Sequence, residues 1–284
     1  MENYSDQLVN DLISLAFAED IGDGDHTTLS CIPETATGKA HLLIKEDGIL
    51  AGVSIAEKIF RHFDSELVIN NFIKDGTEVH YGDIAFNVEG KVQSLLQTER
   101  LVLNVMQRMS GIATTTRRYV KLLEGTKARV LDTRKTTPGM RILEKESVRI
   151  AGGVNHRIGL FDMILIKDNH IDFAGGIRSA ITRAKEYLWR QGKNMPVEVE
   201  VRNFDELAEA ISTGGINRIM LDNFSVEDTQ KAVEIVAGRF EIESSGGITI
   251  ETIRRYAETG VDYISVGALT HSVKSLDMSL KSIQ

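Results

Sequence analysis

Apolar residues recur along this chain with two different spacings, and the change falls near residue 110. Over 4–19, apolar side chains at 8, 9, 12, 13, 15, 16 and 17 trace one face of an amphipathic helix. A polar glycine loop is expected next, at 20–28. Strand-like runs follow at 39–44 and 67–72, with Gly48, Gly52, Gly76, Gly82 and Gly90 as turns between and around them. The run 95–109 reads as a long helix. Helices and strands do not alternate regularly here, so residues 1–110 are expected to form an α+β domain.

Beyond residue 110 the pattern becomes regular. Short apolar runs at 128–132, 163–167, 196–201, 218–222, 240–244 and 263–267 read as buried strands. Helical runs at 175–191, 204–213, 225–238 and 249–259 separate most of them. Such alternation means parallel βα units. Val154, after Gly152-Gly153, adds a candidate short strand, giving six or seven units. The fold class is therefore α/β, and six or seven parallel units over 111–271 favour a closed barrel over an open sheet, although the usual barrel has eight.

The 284 residues suffice for one large domain or two smaller ones. Net charge is −8, which argues against nucleic acid or a membrane surface as partner. Any anion-binding cations must then be concentrated locally. The lone cysteine, Cys31, excludes an intramolecular disulfide and fits a cytoplasmic protein. The polar, acidic start does not read as a secretory leader, and no apolar run is long enough to span a bilayer.

The polar clusters sit close behind the apolar runs. Asp132-Thr133-Arg134-Lys135-Thr136-Thr137-Pro138-Gly139 follows the first strand, Asn155-His156-Arg157 follows the candidate short strand, and Lys167-Asp168-Asn169-His170 follows the next. In a parallel barrel the site lies at the carboxyl ends of the strands. Three cation-rich clusters there suit a substrate with several negative charges. Glu198 and Glu200 alternate with Val197, Val199 and Val201, so both face one side of a strand. Glu200 and Asp222 make a carboxylate pair that could hold Mg²⁺. Ser245-Gly246-Gly247, and Gly267 ahead of Thr270-His271, offer exposed N–H groups at the last two βα junctions, the usual phosphate seat of barrels. His156 and His170 lack a second His or Cys at ligand spacing, which leaves hydrogen bonding to substrate as their better use.

Arg134-Lys135-Thr136-Thr137-Pro138-Gly139, Arg141, Glu144-Lys145, Gly152-Gly153, Asn155-His156-Arg157 and Lys167-Asp168-Asn169-His170 together resemble the signature of the quinolinate phosphoribosyltransferases. So do the segments around Asp20-Ile21-Gly22-Asp23, Glu198-Val199-Glu200, Leu221-Asp222-Asn223 and Ser245-Gly246-Gly247. The resemblance spans nearly the whole chain. It implies an N-terminal α+β open sandwich over 1–110 and an incomplete, about seven-stranded parallel α/β barrel over 111–271, with quinolinate and phosphoribosyl pyrophosphate as substrates and Mg²⁺. It also implies a homodimer in which Arg100 enters the partner's site, and a tail, 272–284, that returns to the N-terminal domain. Thr133, Arg134, His156, Arg157 and the partner's Arg100 would bind the two carboxylates. Lys135 and Lys167 would neutralise charge, Glu200 and Asp222 would face the ribose and its metal, and Ser245, Gly246, Gly247, Gly267 and His271 would seat phosphate. The alternatives are a phosphoribosyltransferase with another acceptor, a Schiff-base barrel aldolase and a non-catalytic phosphoribosyl-binding module.

Overall fold

A computed structural model describes residues 2–283. In chain order the elements are α1 (Glu2–Ile21), α2 (His26–Cys31), β1 (Thr37–Ile44), β2 (Gly48–Ile49), α3 (Val53–Phe63), β3 (Val68–Asn71), β4 (Glu78–Val79), β5 (Ile84–Lys91) and α4 (Val92–Leu122). They continue with β6 (Arg129–Leu131), α5 (Arg141–Ile150), β7 (Ile164–Ile166), α6 (Asp168–Ala174), α7 (Ile177–Gln191), β8 (Val197–Val201), α8 (Phe204–Thr213), β9 (Arg218–Asp222) and α9 (Val226–Val236). The last are β10 (Glu241–Ser245), α10 (Ile253–Glu258), β11 (Tyr263–Ser265), α11 (Ala268–His271) and β12 (Met278–Ile283).

Two compact units result. One holds Met1–Arg117, Thr136–Gly152 and Leu269–Gln284; the other holds Arg118–Lys135 and Gly153–Ala268. The first is built on an antiparallel sheet in the order β12-β1-β5-β3. Strand β1 alternates, with Ala40, Leu42 and Ile44 buried and the residues between them partly exposed. That period of two gives the sheet one apolar face. Helix α3 buries Val53, Ala56, Ile59 and Phe60 at helical spacing. Phe60 and Phe86 meet edge to face, 5.9 Å between centroids. The chain's last strand pairs antiparallel with β1, from Lys39↔Ile283 to Ile44↔Met278.

The second unit is a parallel sheet in the order β6-β11-β10-β9-β8-β7. The expected strand at Val154 is reduced to a single parallel bridge, Leu131↔Val154. His156 lies just past that bridge, at one edge, yet its Nε2 is 3.0 Å from Glu198 Oε2 on β8, near the other edge. In a flat sheet five strand spacings would separate them by about 24 Å. The sheet therefore curls into an α/β barrel, left open between Val154 and β7.

Local structure departs from the sequence reading in several places: α3, β5, α6 and β12 were not expected, and Gly90, read as a turn, lies within β5. The helix expected at 95–109 runs from Val92 to Leu122. Gly111 suits its middle despite its low helix propensity, because a Cβ there would lie 2.2 Å from the Lys274 carbonyl oxygen. The loop expected over 20–28 ends early, because Asp25 caps α2 by accepting from the Thr28 amide at 3.0 Å. Helix α5 lies in a stretch read only for its motif residues. The helix expected from 249 begins at Ile253, since Thr249 to Thr252 form turns first.

Candidate active site

The carboxyl ends of the parallel strands surround a cavity of about 330 Å³. It is lined by Thr133, Arg134, Lys135, His156, Arg157, Lys167 and Ser245, all singled out by sequence, and by Leu165, Met220, Glu243 and Ser265, which were not. Four cationic side chains thus share one hollow in an acidic molecule.

Buried acids shape the loops that carry these cations. Asp132, fully buried at the end of β6, accepts the His156 amide on Oδ1 at 2.8 Å and the Asn155 side-chain amide on Oδ2 at 2.6 Å. Both anchors fix the Asn155-His156-Arg157 turn to the first strand. Asp162 does the same from the other side, accepting the Ile158 and Gly159 amides at 2.7 and 2.9 Å. Thr133 Oγ1 accepts the Lys135 amide at 3.0 Å, which turns the chain after Arg134. The position of Asp132, directly before the Thr-Arg-Lys cluster, was the available signal for its anchoring role.

Arg134 and Arg157 face one another's charge. The Nε of Arg134 is buried and has no hydrogen-bond partner among the described residues. Burial, then the charge of Arg134, lowers the Arg157 pKa. Glu198 and Asp162 offset this repulsion between two half-buried guanidiniums only in part, and a bound dianion would relieve the rest. Lys167 Nζ lies 3.4 Å from Glu200 Oε2. Glu200 is nearly buried on β8, and Asp222 ends the neighbouring β9, its Oδ2 accepting from Asn223 Nδ2 at 2.8 Å.

Ser245 reaches the cavity from the end of β10, and Gly246 follows with φ 100°. A Cβ at Gly246 would lie 2.2 Å from Asn223 Oδ1, so both the backbone conformation and the space demand glycine. Gly247 and Gly267 do not line the cavity, nor do Glu200 and Asp222. His271 is exposed and pairs with Ser272 at 2.7 Å. Arg100 is exposed on α4, in the other compact unit. His170, read as a substrate contact, accepts the Lys167 amide on Nδ1 at 3.0 Å and caps α6.

A second cluster lies beneath the cations. His156 Nε2 is 3.0 Å from Glu198 and 3.4 Å from Glu243. Arg218 is 3.3 Å from Glu243, 3.0 Å from Glu241, and 4.0 Å above the Tyr263 ring. Burial and the charge of Glu243 push Glu198 up to about 7. Burial acts on Glu243 in the same direction, but His156 and Arg218 outweigh it and hold the group low. Burial opposes charge on His156, while the two glutamates favour it and push its pKa to about 9. Geometry points the other way, because the Arg157 amide donates to Nδ1 at 2.7 Å. Only a ring without a proton on Nδ1 can accept that bond, so geometry decides for one proton, on Nε2. Glu243 escaped the sequence reading although it alternates within β10 just as Glu198 and Glu200 do within β8. Ligand atoms of His156, Glu198 and Glu243 lie within 4.8 Å of one another, three metal-ligating types that no sequence spacing brought together.

A curled parallel sheet with clustered cations at its carboxyl ends defines an α/β-barrel enzyme for a multiply anionic substrate. The sequence profile described as quinolinate phosphoribosyl transferase, N-terminal domain, matches residues 25–110, and that of the C-terminal domain matches 112–281. The chain is 47% identical over 285 residues to quinolinate phosphoribosyltransferase [decarboxylating] 1 of Nicotiana glauca, covering 95% of this chain and 81% of the relative. It is 42% identical to the probable nicotinate-nucleotide pyrophosphorylase [carboxylating] of Bacillus subtilis, covering 95% and 91%. Among solved structures, NadC from Streptococcus pyogenes superposes with a TM-score of 0.91 at 40% identity, covering 97% of each chain. The nicotinate-nucleotide pyrophosphorylase from Francisella tularensis also gives 0.91, at 43% identity, covering 98% and 96%. The chain belongs to the quinolinate phosphoribosyltransferase family.

Proposed function

We propose that this chain transfers the phosphoribosyl group of phosphoribosyl pyrophosphate to quinolinate, yielding nicotinate mononucleotide, pyrophosphate and carbon dioxide for NAD biosynthesis. The observation that carries the reading is the Arg134–Arg157 pair in one cavity, with the Nε of Arg134 lacking a partner. Two guanidinium forks match two adjacent carboxylates on a flat ring. Thr133, the wall formed by His156 and a partner subunit's Arg100 complete that grip in our reading.

Lys135 and Lys167 lie between the diacid and the pyrophosphate and reduce the repulsion between two polyanions. Glu200 and Asp222 face the ribose. Their carboxylate oxygens are donors of the kind Mg²⁺ takes, with waters and substrate oxygens completing its shell. Bound there, the ion would supply charge neutralisation to the pyrophosphate. Ser245, Gly246, Gly247, Gly267 and His271 seat the 5-phosphate.

The pyridine nitrogen has a free lone pair, so its attack on the ribose C1 needs no general base. Catalysis then comes from holding two anions together and from stabilising the charge of the departing pyrophosphate. The ribosylated ring nitrogen is cationic and stabilises the carbanion left as the neighbouring carboxylate departs; that carbon then takes a proton from water, so decarboxylation follows transfer. The active unit in this reading is a homodimer, with neither nucleic acid nor membrane as a partner. Among the described residues no helix is long and apolar enough to cross a membrane. A cytoplasmic site is our inference from the single cysteine. Compartment varies among relatives, those of Oryza sativa and Nicotiana tabacum being named chloroplastic and mitochondrial.

Turnover with quinolinate against nicotinate, following pyrophosphate and carbon dioxide together, tests the assignment. With phosphoribosyl pyrophosphate present, equal release of both products is expected from quinolinate and neither from nicotinate. Turnover with nicotinate only, or carbon dioxide release without phosphoribosyl pyrophosphate, would overturn it.

A further inference from the structure

The cations of the cavity rest on a floor of opposite charge, and the two layers meet at one imidazole. From above, the Arg157 amide donates to His156 Nδ1 at 2.7 Å. From below, Glu198 and Glu243 approach Nε2 to 3.0 and 3.4 Å. Neither glutamate is exposed to solvent, and His156 is only 7% exposed. A ring with one nitrogen accepting and the other facing carboxylates has a single compatible tautomer. Its orientation is set by what lies beneath it.

We propose that Glu198, Glu243 and Arg218 are positioning residues that hold His156 as its Nε2–H tautomer, so that Nδ1 fixes the Arg157 backbone and aims the Arg134–Arg157 pair at the two ring carboxylates. The inference rests on the reading of those arginines as the diacid's grip. It gives His156 a different task from direct hydrogen bonding to substrate, because both ring nitrogens already face protein groups. Arg218 belongs to the device through Glu243, at 3.3 Å, and is itself steadied by Glu241 and the face of Tyr263. Without that guanidinium, two buried carboxylates would stand beside a ring carrying one proton, and repulsion would drive them apart. The same three residues, His156, Glu198 and Glu243, form a ligand-type cluster. In our assignment the Nε2 proton occupies the place a metal ion would take.

The test uses the full-length protein with ¹⁵N-labelled histidine. The His156 signals are assigned by their loss in His156→Gln. In the substrate-free protein, Nε2 is expected to carry the proton and Nδ1 the free lone pair. Glu198→Gln/Glu243→Gln keeps the shape of the floor but presents amides where carboxylates stood. It should mix the tautomers and raise KM for quinolinate about 10- to 100-fold, with smaller changes in kcat and in KM for phosphoribosyl pyrophosphate. Glu243→Asp alone should retain more of the wild-type pattern and affinity. If the double variant does not fold, Arg218→Lys read by the same signals replaces it.

A wild-type ring protonated on Nδ1, or a stoichiometric metal ion in the purified protein that is lost in His156→Gln, would overturn the proposal. So would a variant in which both substrates and kcat decline alike while the tautomer stays fixed. The substrate-free tautomer reports on the floor whatever the diacid's grip proves to be. If Arg134→Ala leaves quinolinate binding intact, the reading of the grip fails separately.

Discussion

Strands β1 and β8 carry charge in opposite ways. In β1, Lys39 and His41 alternate with buried Ala40 and Leu42, and they face outward where water solvates them. In β8, Glu198 and Glu200 alternate with valines in the same manner, yet all five residues are buried. An antiparallel sheet with one wet face tolerates polar residues at every second position. A parallel barrel has no wet face, so an inward charge must find partners inside. Alternating charge means exposure in the first unit and a site in the second. The same pattern in sequence has two physical meanings, and the neighbouring architecture decides between them.

The largest test of that contrast is to remove an inward cation. Arg134→Ala should lower kcat/KM for quinolinate about 10²- to 10³-fold, the scale for losing a desolvated charge-assisted contact. Thermal stability should hold or rise slightly, since the change also relieves repulsion with Arg157. Steady-state kinetics beside a melting curve would separate the two effects. Near-normal turnover would take Arg134 out of the diacid's grip.

Much of this was legible because parallel strands declare themselves as short apolar runs between helical ones. Seven site residues picked from sequence line one cavity, since motifs at strand ends converge wherever the sheet closes. What was missed depends on contacts across the barrel. Glu243 comes near His156 only because β10 and the turn after Val154 face each other across the lumen, and no local spacing encodes that. Asp132 sat in plain view, but its role comes from two bonds to a loop 23 and 24 residues onward. His170 carries a helix cap that its sequence position did not announce, because its Nδ1 accepts the Lys167 amide. Helix α4 outran its apolar pattern because close contact at Gly111, rather than propensity, favours that residue.

The contrast can also be drawn out by pH. Glu198 is pushed up from its ordinary 4.5 to about 7 by burial and by Glu243. Between these values the folded state holds a proton that the unfolded chain has released, so the barrel should lose stability as pH rises through that window. Asp64, in the first unit, is held below its ordinary 3.8 by the Ser94 hydroxyl and the Glu66 amide. Its contribution has the opposite sign: present above that value, and lost as pH falls through the lower folded pKa. Urea midpoints of wild type against Glu198→Gln at pH 5 and 7.5 should diverge, the wild type declining relative to the variant. Asp64→Asn should lie below wild type by a constant amount across the same range and converge with it only in acid. Parallel curves for Glu198→Gln would mean that this carboxyl does not titrate where its burial places it.

The smallest effect sharpens the comparison most, because it concerns an ion pair in the wet sheet. Lys39 on β1 lies 3.8 Å from Glu89 on β5, directly across the strands, with the two side chains 40% and 58% exposed. Water screens both charges, and holding two long side chains together costs rotamer freedom, so Lys39→Ala should change stability by only about 0–1 kcal/mol. Lys39→Met keeps the aliphatic stem that covers the sheet and should change it less. Arg218 in the barrel makes a pair of similar length with Glu243, but at a fully buried carboxylate. Removing that guanidinium leaves an uncompensated interior charge, and the cost should rise to about 3–5 kcal/mol. Equal costs for Lys39→Met and Arg218→Met in the same urea series would show that burial does not divide the two sheets as described. A Lys39 effect that persists in 1 M salt would place that pair out of water, against the exposure of its side chains.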